Sequence, residues 1–176
     1  MRGRVFWPLL AATLALMVLL NWEGGPLVTS PAPYGIVSFE LAGSVDRSQA
    51  ILDSWDANAQ LHAAFSLGVD YLFMVLYSAA IGLACIWSAD RLHRLGWPLA
   101  SLGAWLAWGL WLAALFDAVE NVALLSNLFN GVIYPWPIIA YICALFKFGL
   151  ILLGMVYTFF ALAAHLASRL QPVPSA

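Results

Sequence analysis

Four ionisable residues stand inside long apolar runs: Asp70, Asp117, Glu120 and Lys147. An ionisable side chain at mid-membrane costs about 2.5–3.5 kcal/mol on insertion scales, so each needs a partner or a task. Carboxyls and an amine held at one depth can do acid–base work. A protonated carboxyl serves as general acid, and a nearby ammonium stabilises its conjugate base. Asp70, Asp117, Glu120 and Lys147 are therefore the candidate catalytic set. Asn121 would orient the group, and Tyr77 and Tyr141 are the candidate ligand-binding walls, with Tyr71 and Tyr157 as further hydroxyls. Three carboxyls face one ammonium here. At least one carboxyl is then expected to hold a proton at neutral pH, and the set should titrate as coupled groups.

Spacing favours convergence. Asp117, Glu120 and Asn121 stand at i, i+3 and i+4, one helix face. Ala113 and Ala114 continue that face, and Trp108 falls opposite, toward lipid. Ala63, Asp70, Tyr77 and Ala84 recur at heptad spacing, as do Ala140, Lys147, Gly154 and Ala161. Small residues at such spacing let membrane helices approach closely, so the charges are expected on packing seams. At 1.5 Å per residue Asp70 lies about 10 Å, Asp117 about 13 Å, Glu120 about 9 Å and Lys147 about 16 Å from the outer ends of their spans. All four are then expected in the outer half of the bilayer.

The elements that must position them are four apolar runs, about 5–20, 61–88, 97–126 and 136–166. A hydrocarbon core of about 30 Å needs about 20 helical residues, so the first run is slightly short and the others are long enough to tilt. The runs are continuous instead of alternating, which argues for helices. The fold class is all-α: a four-helix transmembrane bundle, one integral-membrane domain over 1–176, with an outer loop at 21–60. Pro8, Pro98 and Pro137 are expected in first helical turns, and the other prolines in the first loop, before the fourth span or in the tail. Trp7, Trp22, Trp55, Trp87, Trp97 and Trp136 fall near span ends, as an interfacial belt requires.

Composition agrees. The chain is 64% apolar and 9% charged, with mean hydropathy +0.89; a soluble domain carries about a quarter charged residues. A soluble globule, a cytosolic enzyme and a disordered linker are excluded. The net charge is -2, with no basic tract to grip phosphates, which excludes a nucleic-acid binder. Arg2, Arg4, Arg91, Arg94 and Arg169 gather on one side. Arg47 stands on the other, beside Glu23, Glu40, Asp46, Asp53 and Asp56. The positive-inside rule places both termini in the cytoplasm. No small-x-small site follows Leu20, so the first span reads as an uncleaved signal anchor. In the outer loop, Tyr34 to Ala42 alternates like a short extended strand, whereas Asp46 to Trp55 patterns as an amphipathic interfacial helix. Cys85 and Cys143 lie at different depths and should not pair.

No His stands at i+3 or i+4 from the buried acids, and Gly-x-Ser-x-Gly, Cys-x-x-Cys and phosphate-loop patterns are absent. No metal or other cofactor is expected. The pattern Leu-Gly-Val-Asp70-Tyr-Leu-Phe, with Asp117-Ala-Val-Glu120-Asn121, resembles small, uncharacterised four-span membrane proteins, mostly bacterial. The resemblance spans about Phe65 to Gly154 and implies the bundle but no activity. The leading functional expectation is binding of a small lipophilic molecule or lipid at the outer polar cluster, with acid–base conversion as its enzymatic form. The alternative is a structural or accessory subunit whose buried charges lock helix packing. The expected partners are the bilayer, a lipophilic small molecule, and a membrane subunit or second copy. The expected location is a bacterial inner membrane.

Overall fold

The computed structural model describes residues 2–170, with side chains over 3–169. Six α-helices follow in order: α1 Arg2–Glu23, α2 Ile36–Glu40, α3 Val45–Asp53, α4 Ala57–Arg94, α5 Leu102–Asn130 and α6 Trp136–Leu170. Four of them, α1, α4, α5 and α6, are long and apolar enough to cross a membrane. This is the architecture of a multi-pass membrane protein and the expected all-α bundle. At 1.5 Å per residue the 38 residues of α4 extend about 57 Å, well beyond a hydrocarbon core of about 30 Å.

The helices form where side-chain chemistry allows them to start and stop. Asp56 caps α4 by accepting from the Ala59 N–H at 2.8 Å, and Arg91, His93 and Arg94 close its last turn, opposite the helix dipole. Ser44 caps α3 through the Arg47 N–H. Helices α4, α5 and α6 pack tightly on one another, and α1 leans chiefly on α4. Small residues set the closest approaches. A Cβ at Gly103 would stand 2.6 Å from the Cys85 carbonyl oxygen, and one at Gly154 would meet Leu110 at 2.8 Å. Ser78 donates to the Leu110 carbonyl at 2.8 Å and Tyr157 to the Leu99 carbonyl at 3.1 Å, so polar ties cross the same seams. Both small-residue heptads lie on these seams, and Trp108 points outward at 73% exposure.

Three expectations need correction. Pro8 stands inside α1, beyond its first turn, because the helix already begins at Arg2. The early start is held by packing: Gly3 lies against Trp87, and the Phe6 and Trp87 rings are 5.0 Å apart. Residues 34–42 do not form a strand; Ile36–Glu40 is helical, entered through Gly35 at φ +57°. A strand would turn neighbours to opposite faces, yet consecutive Phe39 and Glu40 are both buried. Trp55 is no interfacial residue. It is buried beneath the loop, its indole N–H donates to the Leu27 carbonyl at 2.9 Å, and its ring meets Phe39 edge-on. The loop is thus a packed lid with its own apolar core, built by Leu27, Phe39, Ile51, Leu52 and Trp55 over the ends of α4, α5 and α6. The expected amphipathic helix is α3, and it buries Ile51 and Leu52 in that core. The tail prolines, Pro172 and Pro174, lie outside the described residues.

Candidate functional site

Lys147, on α6, is the centre of the buried polar cluster. Its Nζ donates to Asp117 Oδ1 and to Glu120 Oε1, both at 2.9 Å. The two acceptors sit on adjacent turns of α5, so a single ammonium spans the i, i+3 pair. Tyr77 of α4 donates to the other Asp117 oxygen at 3.0 Å. Asn121 donates to Asp70 Oδ2 at 2.7 Å, which adds a further tie between α5 and α4. Asp117, Glu120, Asn121, Tyr77 and Lys147 are all buried, and Asp70 is half-buried at the side of the group. Of the seven residues singled out from sequence, Lys147, Asp117, Glu120 and Tyr77 form one hydrogen-bonded set across three helices, and Asn121 with Asp70 forms a separate pair between α5 and α4.

Tyr141 is the exception. It is 36% exposed and packs its ring beneath Gly43, whose φ is +68°. It supports the lid and does not enter the hydrogen-bonded group. Tyr71 reaches the Ala118 carbonyl at 3.4 Å, and Tyr157 belongs to the opposite end of the bundle.

Glu40 is the member that pattern reading missed. It closes the short lid helix α2 and brings Oε2 to 3.5 Å from Lys147 Nζ. The lid thus adds a third carboxylate to the lysine. Burial raises the Glu40 carboxyl above its ordinary 4.5, the Asp117 charge adds to this, and Lys147 opposes it. The only signal in the sequence was a lone acid within the apolar stretch Ile36–Ala42. Three carboxyls contact one ammonium, and a fourth, Asp70, stands to the side, bonded to Asn121. A low-dielectric site does not hold that excess of negative charge, so protons or a cationic group must balance it.

Among the described residues, the buried Ser48 Oγ, Ser66 Oγ and both Asn127 amide atoms meet no hydrogen-bond partner, whereas Glu40 Oε2 faces the Lys147 ammonium at 3.5 Å. All belong to the lid or to the lid-side halves of α4 and α5. Asn127 stands two turns beyond Glu120 on the same face of α5, and Ser66 one turn before Asp70 on α4. Most buried polar groups in folded proteins are satisfied, so a concentration of orphans in one half of a bundle calls for a cause. Chemically, the group can accept hydrogen bonds, trade protons, and screen a positive charge. Among the described residues no three His, Cys, Asp or Glu side chains are grouped so as to hold a metal ion. His62 instead ties α4 to the end of α1, its Nδ1 lying 2.8 Å from Glu23 Oε2. Cys85 and Cys143 are buried free thiols. No family model, curated protein or solved structure matches the chain.

Proposed function

We propose that the protein binds a small lipophilic molecule whose polar head reaches the lid-side cluster, and that the lid carrying Glu40 closes over it. One observation carries the proposal: the unpartnered polar atoms of Ser48, Ser66 and Asn127 all lie in the half of the bundle that the lid covers. A network serving only to lock helices would be expected to satisfy its own members, because an unpaired buried polar atom costs about 1–3 kcal/mol. A guest with donors and acceptors would satisfy them. The carboxyls of Asp70, Asp117 and Glu120, with Lys147 as counter-charge, would exchange a proton with such a head. Acid–base conversion is the enzymatic form of the same proposal. The chain would sit in a bacterial inner membrane with both termini in the cytoplasm, and the lid would face outward.

The direct 2.9 Å contacts of Lys147 with Asp117 and Glu120 favour a second function, structural locking of α5 to α6. Replacing Asn127 by Leu separates the two. Under the binding proposal, Asn127→Leu folds, keeps its melting temperature within a few degrees, and loses a small molecule that copurifies with the wild type and is identified by mass spectrometry. If no such molecule accompanies the wild type in membranes or mild detergent, and Asn127→Leu is simply more stable, locking is the function.

A further inference from the structure

A cleft of about 590 Å³ opens at the other end of the bundle, far from the lid, between α1, α4 and α6. Its floor is α4, where Ala80, Ala84 and Ser88 follow at one per turn and leave a trough. Phe6 and Trp7 of α1 form one wall, and Phe159 of α6 helps form the other. The trough exists because α1 leans on α4 and leaves the neighbouring flank of α6 uncovered. Its volume lies within the roughly 300–1,000 Å³ of ligand pockets.

Length and charge identify the occupant. From Ala80 to Arg91, the floor runs about 16 Å along the helix, close to half of a hydrocarbon core of about 30 Å. The cleft is therefore one leaflet deep. Arg91 lines its mouth, and Arg94 stands one turn further along α4. Arg4 precedes Trp7 by one turn on α1 and is exposed at the same end. Basic groups at the mouth of a gap between membrane helices recruit anionic head groups.

We propose that this cleft seats one acyl chain of an anionic phospholipid from the leaflet at the N-terminal end, with the phosphate against Arg91. The site is separate from the lid-side cluster and stands whether or not that cluster binds anything. A free fatty acid would match the chain but not the leaflet-level phosphate, and a second copy of the chain would have to bring its own anion to Arg91.

The full-length protein in mild detergent is titrated with phosphatidylglycerol, with phosphatidylcholine of the same chains, and with palmitate, and retained ligand is counted by native mass spectrometry. One phosphatidylglycerol is expected to be retained in preference to the others. Arg91→Gln should weaken that retention about fivefold, the effect of one basic group near an anionic surface. Equal retention of phosphatidylglycerol and phosphatidylcholine, preference for palmitate, or an unchanged Arg91→Gln overturns the proposal. A second measurement needs no variant. Phosphatidylglycerol carrying a photoactivatable group at mid-chain should label 6–10 of α1 and 155–162 of α6. Labelling spread over the exposed face of α5, at Trp105 and Trp108, would mean ordinary boundary lipid.

Discussion

Lys147 decides the state of its neighbours. Its ammonium holds Asp117 and Glu120 at 2.9 Å and Glu40 at 3.5 Å. Removing one partner of a buried ionic group is far more damaging than removing all, because the remaining charge loses its compensation. Lys147→Met is therefore expected to lower stability by about 3–5 kcal/mol, measured by reversible unfolding in mixed detergent. Adding Asp117→Asn and Glu120→Gln to the same chain should recover most of the loss. A Lys147→Met protein as stable as wild type would mean that the acids are already fully protonated and that the ammonium is incidental. The depth estimates placed Asp117 and Lys147 correctly relative to each other, since helix rise is a fixed length. Glu40 could not be found that way, because a loop residue has no register.

Among the elements, the lid helix α2 is the one whose position depends on chemistry. Its packing rests on Phe39 against Trp55, and its end rests on Glu40 facing Lys147 of α6 and Asp117 and Glu120 of α5, with Asp70 of α4 beyond them. The Glu40 carboxyl is raised by burial in this structure, and a lid that opened as proposed would return it to its ordinary 4.5. The closed form then binds the proton more tightly than the open form. Its contribution to closure is fully present below pH 4.5 and is lost as pH rises through the elevated closed-state value. Hydrogen exchange over 36–53, corrected for intrinsic rates, should show stronger protection at pH 5 than at pH 8, and Glu40→Gln should flatten the difference. Protection that grows with pH would show instead that the ionised Glu40–Lys147 pair dominates. The alternation of residues 34–42 suggested a strand because period-two patterning is cheap to produce in a short stretch. The structure chose a helix there because both Phe39 and Glu40 had to be covered at once.

As a whole molecule, the protein is asymmetric from end to end. The lid side carries the orphaned polar atoms and the acidic loop residues, whereas the opposite side carries Arg4, Arg91 and Arg94 around an apolar cleft. Under the proposed topology the basic end faces the cytoplasm, as the positive-inside rule requires. In a variant with Cys85 and Cys143 replaced by Ala, a cysteine introduced at Asp46 should react with a membrane-impermeant maleimide added to intact cells. One introduced at His93 should react only after lysis. The reverse pattern would invert the topology and place the polar cluster in the cytoplasmic leaflet.

The amino-acid order alone determined the four spans, their helical state, the shared face of Asp117, Glu120 and Asn121, and the seams that carry Asp70 and Lys147. Those properties follow from hydrophobicity and from a 3.6-residue period, which are local quantities. Tertiary structure alone decided that Lys147 bridges two acids directly, that Tyr141 serves the lid instead of the cluster, that Glu40 descends to join the cluster, and that α1 leans aside and leaves a cleft. Each depends on how far one packed element stands from another, a distance set by side-chain volumes on both and written in neither segment by itself.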